Sequence, residues 1–158
     1  MCKRASELLT KESAAEFTGN KWTERGHELE DHAFNLYRFE RGCDLQKVGF
    51  ITSDDGSYGC SPDALVGEDG GLEIKCPAAF THLQYKHNPK KKIEDVYKAQ
   101  VQGTLFVTGR KWWDLMSYHP TLAPYIVRVE RDEEYIGLLE DALNSLTADI
   151  KKIVEQEG

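Results

Sequence analysis

GCSPDALVGEDGGLEIKCP, residues 59–77, holds two short apolar runs joined by the turn-forming sequence GEDGG, a pattern that predicts two antiparallel strands. The second run alternates apolar Leu72 and Ile74 with charged Glu73 and Lys75. Because successive side chains of a strand point to opposite faces, the apolar pair is expected to enter the core. The charged pair then shares the other face.

Asp63, on the first of these strands, is expected to approach Glu73 across the turn. Two carboxylates this close repel each other and raise the pKa of at least one of them unless a cation lies between them. Oxygen ligands of this kind suit Mg²⁺ or Mn²⁺. Lys75 beside such an ion could deprotonate a water or neutralise charge on phosphorus, and the sequence does not separate these roles. The alternative is a solvated hairpin in which Glu73 and Lys75 form a weak surface pair.

A third carboxylate, Glu30, lies in the segment RGHELEDHAFNLY on the helix that also carries the apolar positions Ala33 and Tyr37. A glutamate on the buried side of a helix is costly unless it has a partner, and a cation is one such partner. Glu30 is therefore a candidate member of the same site. The alternative is that it is a surface charge.

The remaining sequence alternates helical and strand-like patterns without internal repeats. Its 158 residues fit one hydrophobic core, so a single domain over residues 1–158 is predicted. The mixture of periodicities predicts an α/β fold built round one sheet. Helices are predicted over residues 5–16, 22–40, 93–109 and 132–156 and after Pro77, and strands over residues 46–52, 57–60, 63–66 and 71–75 and in KWWDLMSYH and APYIVRVER.

Composition and charge limit the functional classes. A net charge of −7 argues against a generally basic nucleic-acid surface. One local excess of lysines, in YKHNPKKK, is the candidate contact for DNA phosphates, with a solvated loop as the alternative. It comprises Lys86, Lys90, Lys91 and Lys92.

Cysteine spacing and hydropathy exclude further classes. The four cysteines lack the close pairing of a zinc site, so free thiols are expected, with a Cys60–Cys76 disulfide as the alternative. No apolar run is long enough to cross a bilayer, and the first residues lack the apolar region of a signal peptide. A cytoplasmic protein with no membrane partner is predicted.

Five blocks together resemble the PD-(D/E)xK nucleases, and within them the phage lambda exonuclease group, or YqaJ-like viral recombinases. They are RGHELEDHAFNLY, GCSPDALVGEDGGLEIKCP, VYKAQVQGTLFVTG, WWDLMSYHP and VRVERDEEY. The resemblance implies a restriction-endonuclease-like core with a mixed central sheet flanked by helices.

The resemblance also implies a two-metal site binding Mg²⁺, for which Mn²⁺ can substitute. It assigns the metal ligands to Asp63, Glu73, Glu30 and the backbone carbonyl of Ile74. It makes Lys75 the catalytic lysine and places Gln100 against that lysine and the attacking water. Gln102, about 200° further round the helix, is expected to face elsewhere.

The implied activity is 5′-to-3′ exonucleolytic hydrolysis of linear double-stranded DNA to 5′-mononucleotides, in phage-type homologous recombination. A ring-shaped homotrimer, a single-strand annealing partner, and a phage or prophage gene expressed in a bacterial cytoplasm are implied with it. Because an acidic monomer would hold DNA poorly, processive action would need a ring that encloses the duplex. The alternatives are a restriction-type or repair endonuclease and a catalytically silent DNA-end-binding module.

One departure concerns the first residues. The family usually begins with a W-x-x-x-R segment and a T-A-S turn, whose arginine and serine help bind the 5′-phosphate. No such segment precedes Cys2. We therefore expect either that the N-terminal family segment is missing or truncated, or that the 5′ end is recognised by a different device.

Overall fold

The computed structural model describes the backbone of residues 21–157 and the side chains of residues 28–157. The helix predicted over residues 5–16 and the expectation about the N-terminal family segment lie outside these residues. Residues 21–132 form one compact unit, and the C-terminal helix belongs to a second unit and is described by itself.

The unit of residues 21–132 is built round a mixed five-stranded sheet. Its strand order is β1-β4-β5-β6-β7, with β5 and β6 parallel and the other pairs antiparallel. Helices connect β5 to β6, as a parallel pair requires. The elements are α1 (Lys21–Arg41), β1 (Leu45–Gln46), β2 (Ile51–Thr52), β3 (Gly59–Cys60), β4 (Ala64–Val66), β5 (Gly70–Lys75), α2 (Ala79–His87), α3 (Ile93–Val96), α4 (Lys98–Thr108), β6 (Trp112–His119) and β7 (Leu122–Glu130).

Strand β5 lies in the middle of the sheet and is buried along most of its length. Leu72 and Ile74 pack in the core with Ala33 and Tyr37 of α1, which confirms the predicted direction of the apolar pair. The opposite face is covered as well, since Glu73 is only 6% exposed. The alternative of a solvated charged hairpin is therefore wrong.

Two glycines let β5 pass the bulkiest side chains of β6. Gly70 pairs with Trp112 and Gly71 with Trp113, and a Cβ on either glycine would lie 2.1 or 2.2 Å from the indole rings. Trp113 is fully buried, whereas the ring of Trp112 is covered by the guanidinium of Arg128 at 3.5 Å. The paired glycines and tryptophans explain why this register is favoured over a shifted one.

A buried carboxylate that pairs with a half-exposed arginine also binds a tyrosine of α1 and so ties that helix to the sheet. Asp114 of β6, 1% exposed, accepts hydrogen bonds from the Tyr37 hydroxyl at 2.8 Å and from Arg128 Nε at 2.8 Å and Nη2 at 3.0 Å. Burial, and then the bond to Asp114, raise the pKa of Tyr37, so its hydroxyl keeps its proton. Both carboxylate oxygens are satisfied, which offsets the cost of burying the charge. The network holds the helix that carries Glu30.

The sequence prediction was wrong in two places. Residues 46–52 form two short strands rather than one, because β1 pairs with β4 while β2 pairs with β3 in a separate two-stranded sheet. The local turn closes that hairpin, since Asp55 accepts hydrogen bonds from Ser53 and Ser57. The helix predicted from Ile93 is divided at Tyr97, whose φ of −107° and ψ of 15° leave the helical region.

His82 of α2 is expected to make stability depend on pH. It is fully buried, with Nδ1 2.8 Å from Ser117 Oγ and Nε2 3.2 Å from the carbonyl oxygen of Ala123. A carbonyl only accepts, so Nε2 carries the proton of a neutral ring and the Ser117 hydroxyl donates to Nδ1. Burial lowers the pKa of His82, and nearby Lys86 adds to the effect.

This lowered pKa predicts that stability falls on acidification. The unfolded chain protonates this histidine near its ordinary pKa of about 6.5, whereas the folded chain resists protonation until lower pH. The contribution is therefore complete above about pH 6.5 and is lost as pH falls towards the folded pKa. Urea unfolding at about pH 8 and about pH 5.5 should show a larger loss in the parent than in His82→Gln. As a control, exposed His32→Gln should lose as much stability on acidification as the parent. Equal losses in the parent and in His82→Gln would refute the role of His82.

The C-terminal helix, α5 (Glu133–Glu157), matches the predicted amphipathic segment, and Glu133 and Glu134 in its first turn suit the helix dipole. Within residues 21–157, none of the helices combines the length and apolar character that crossing a bilayer requires.

Candidate active site

The ends of β4 and β5 bring Asp63 beside Glu73. Ala64 pairs with Leu72, and continuing this antiparallel register by one step sets Asp63 opposite Glu73. Asp63 Oδ2 also accepts a hydrogen bond of 2.6 Å from the backbone N–H of Ile74. This bond holds the Asp63 carboxylate against the backbone of Ile74, the residue after Glu73.

Glu73 contacts two of the other predicted site residues, Lys75 and Gln100. Its Oε1 accepts hydrogen bonds from Lys75 Nζ at 2.7 Å and from Gln100 Nε2 at 2.5 Å. Gln100 lies in the first turn of α4, so this helix contributes its side chain to Glu73. Gln102 points away, donating to the carbonyl oxygen of Glu130, as the helical spacing predicted.

Glu30 and Ile74 join Asp63 around one cavity. A space of about 290 Å³ is lined by Glu30, Asp31, Phe34, Lys47, Val48, Ser61, Pro62, Asp63 and Ile74. Helix α1 therefore contributes Glu30 to the same opening as the two strands. Lys47 also lines this cavity, where its Nζ pairs with Asp31 at 2.5 Å and lies 4.9 Å from the centre of the Phe34 ring.

The carboxylate of Asp63, which lines the cavity, is repelled by that of Glu30 across the cavity and by that of Glu73 beside it. Burial first, and then the charges of Glu73 and Glu30, raise the pKa of Asp63 to about 6, against the opposing effects of the Ile74 N–H and Lys75. Burial and the same kind of repulsion, from Glu30 and Asp63, raise the pKa of the neighbouring Cys76 thiol to about 11. An ionised Asp63 would be stabilised by a cation in the cavity, while Cys76 stays a thiol at neutral pH.

The donor set fits a hard divalent cation, although the side chains are not gathered round one point. Among residues 28–157, no three acidic, histidine or cysteine side chains already converge in metal-binding geometry. Mg²⁺ needs few protein ligands because it keeps several waters. Asp63 and Glu73, with the Ile74 carbonyl and Glu30 nearby, supply oxygen donors of the right kind. The contacts of Glu73 Oε1 with Lys75 and Gln100 leave Oε2 for an ion.

Lys75 has a second contact, with an aromatic ring. Its Nζ lies 4.8 Å from the centre of the Tyr97 ring, and Tyr97 packs edge-on against Tyr85 at 6.4 Å. Burial raises the pKa of Tyr85, and a side-chain hydrogen bond with Tyr97 raises it further. The lysine side chain is therefore held between a carboxylate and a ring.

The lysines of YKHNPKKK differ in their surroundings. Lys91 donates to Gln84 Oε1 at 2.7 Å and lies 6.0 Å from the centre of the Tyr85 ring. Lys86, Lys90 and Lys92 are exposed. Three of the four predicted DNA contacts are thus open to a ligand, and the fourth is partly engaged by the protein.

A family model now decides the relationship. Residues 2–111 match the YqaJ-like viral recombinase domain. The chain belongs to this family. The resemblance predicted from the five sequence blocks is confirmed.

The chain is also similar to solved structures of exonucleases, which is consistent with the family match. The YqaJ-like chain is 34% identical to an alkaline exonuclease from Laribacter hongkongensis, covering 98% of this chain and 79% of the other with a TM-score of 0.82. A complex of that exonuclease with dAMP matches at the same identity, with a TM-score of 0.83. A phage-related exonuclease from Haemophilus somnus 129PT, 18% identical over 99% and 82% of the two chains, has a TM-score of 0.73 and shows the fold alone.

These matches confirm the predicted PD-(D/E)xK core with its mixed sheet. No curated protein matches the chain significantly.

Two residues near the site, Tyr97 and Lys47, were not predicted from the sequence, and the disulfide alternative is excluded. Tyr97 lies three residues before Gln100, and in the continuous helix predicted from Ile93 this spacing puts both side chains on one face, so the place of Tyr97 beside the site was open to prediction. Lys47 follows a two-residue strand, and no sequence pattern marks it as part of the cavity. Cys60 and Cys76 are free thiols, so the disulfide alternative is wrong.

Proposed function

We propose that this YqaJ-like chain, a phage-type exonuclease by its family and relatives, uses Mg²⁺ to hydrolyse linear double-stranded DNA from 5′ to 3′. The main support for this proposal is that Asp63, Glu73 and Lys75 lie close together at the end of β5, beside a cavity that Glu30 also lines. We propose 5′-mononucleotides as products, which is supported by the dAMP complex of the 34% identical relative.

In the proposed mechanism Asp63, Glu73, the Ile74 carbonyl and Glu30 would hold one or two divalent ions. The chemistry that such ions supply is neutralisation of phosphoryl charge and acidification of a water. Lys75 Nζ, 2.7 Å from Glu73 Oε1, positions or deprotonates the attacking water or neutralises charge on the phosphoryl group.

Gln100 steadies the carboxylate that Lys75 also contacts. Its amide donates to Glu73 Oε1, and this restricts rotation of a side chain that has to serve two partners. A residue in this role affects catalysis through orientation of Glu73 and Lys75.

We also propose that the protein acts in phage-type recombination. With a net charge of −7, enclosure of the duplex by a homotrimeric ring would keep the protein on DNA that it would otherwise hold weakly. We propose a single-strand annealing protein as partner and the cytoplasm of a bacterial host as the place of action.

The test is a linear duplex with one labelled 5′ end, incubated with Mg²⁺ and, separately, with EDTA. The proposal requires labelled mononucleotide from that end in Mg²⁺ only, with covalently closed circles left intact. Cuts within circles would instead indicate an endonuclease. Retention of the duplex without cleavage would indicate a binding module, and degradation from 3′ ends would refute the polarity.

The basic segment gives a separate prediction about binding. Replacing the three exposed lysines, in Lys86→Gln, Lys90→Gln and Lys92→Gln together, should weaken duplex binding in Ca²⁺, which replaces Mg²⁺ to limit cleavage. Each lost phosphate contact should reduce the slope of log affinity against log salt by about 0.9. Fluorescence anisotropy across a salt series measures this, with Lys151→Gln/Lys152→Gln as a control that removes two lysine charges elsewhere on the chain. An unchanged slope would remove the segment from the DNA-binding surface.

A further inference from the structure

The catalytic lysine proposed above contacts a carboxylate and an aromatic ring, and the ring has no assigned role. Lys75 Nζ contacts Glu73 at 2.7 Å and faces the Tyr97 ring at 4.8 Å from its centre. Only about a fifth of the Lys75 side chain is exposed, at 21%. The ring therefore bounds the volume in which the ammonium moves.

Tyr97 is itself held firmly. Its backbone N–H donates to Ile93 at 3.1 Å, and its carbonyl accepts from Val101 at 3.0 Å, so the bend between α3 and α4 is bonded on both sides. Its ring meets Tyr85 at an interplanar angle of 71° with centroids 6.4 Å apart. Tyr85 is 6% exposed, which makes it a buried support for the ring.

A lysine needs such support more than an arginine would. Its four-carbon chain is flexible and its ammonium is a point charge without a preferred plane. An aromatic face attracts an ammonium, and the attraction grows when solvent is excluded. With Glu73 as the sole contact, the ammonium could swing with that carboxylate. The ring supplies a second, fixed point.

We propose that Tyr97 is a positioning residue for Lys75, acting through its ring face and not through its hydroxyl. The inference rests on the proposed nuclease function. In this role Tyr97 orients the lysine and does not hold the DNA, so its loss should slow the chemical step without weakening DNA binding.

Three variants test the role of the ring. Tyr97→Leu removes the aromatic face, Tyr97→Phe keeps it without the hydroxyl, and Tyr58→Leu removes a tyrosine that packs on Phe106 instead. Tyr97→Leu is expected to lower kcat by about three- to thirtyfold, with KM for duplex DNA unchanged. Tyr97→Phe loses the hydroxyl that bonds Tyr85 but keeps the ring face against Lys75, so it should retain kcat near the parent value, as should Tyr58→Leu.

Several outcomes would overturn the inference. Parent-like kcat in Tyr97→Leu, an equal loss in Tyr97→Phe, or a change in KM alone would each do so. A direct readout avoids dependence on the folding of a variant. In the parent protein, the ε-methylene protons of Lys75, assigned with Lys75→Arg, should show an upfield ring-current shift by NMR.

An unshifted signal would refute the contact itself. If the parent has no nuclease activity, the proposed function fails while the NMR shift still reports on the lysine and the ring. The two failures are therefore distinguishable.

Discussion

Lys75→Ala is expected to abolish DNA cleavage while leaving divalent-ion and duplex binding largely intact. The ammonium is the group placed to position or deprotonate the attacking water, and loss of such a group costs at least about a hundredfold in rate. The metal ligands assigned to Asp63 and Glu73 remain in place. Cleavage is measured by release of labelled mononucleotide, and duplex binding by anisotropy in Ca²⁺.

Lys111→Ala is the matched control for this change. Lys111 also pairs with a carboxylate, Asp69 at 3.0 Å, but it is exposed and precedes β6. It should cleave like the parent. A Lys75→Ala protein that still cuts at more than a few per cent of the parent rate would refute the role of this lysine.

Asp63→Ala is expected to lose cleavage together with divalent-ion binding. Asp63 is one of two carboxylates at the strand ends, and without it the charge attracting an ion into the cavity is much reduced. Asp63→Asn separates charge from structure, because the amide oxygen can still accept the bond from the Ile74 N–H. Mn²⁺ binding followed by electron paramagnetic resonance measures the loss in both variants.

The control for the acidic variants is Asp69→Asn. Asp69 lies in the turn before β5 and pairs with exposed Lys111, outside the cavity. It should bind Mn²⁺ as the parent does. Parent-like affinity in Asp63→Asn would show that this carboxylate does not bind the ion.

The alternation in β5 was predictable because period-two patterning is a strong local signal and Leu72 and Ile74 have only one way to enter the core. Glu30 was predictable for a related reason, since it shares a helix with Ala33 and Tyr37. These site residues lie on β5 and α1, where the spacing of apolar residues clearly indicates a strand and a helix.

Other features depend on tertiary contacts that no local pattern contains. The break at Tyr97 interrupts a segment that has ordinary helical periodicity. Residues 46–52 look like one strand, but their pairing partners lie in two different sheets. The burial of Glu73 depends on cover from α4, which begins twenty-five residues later in the sequence.

The most direct measurement of the central claim is anomalous diffraction from a crystal of the parent protein soaked in Mn²⁺. We predict an anomalous peak bound by the carboxylates of Asp63 and Glu73 and by the carbonyl oxygen of Ile74, and no such peak in Asp63→Ala. A peak bound by other residues, or none at saturating Mn²⁺, would contradict a metal-dependent nuclease site at the end of β5.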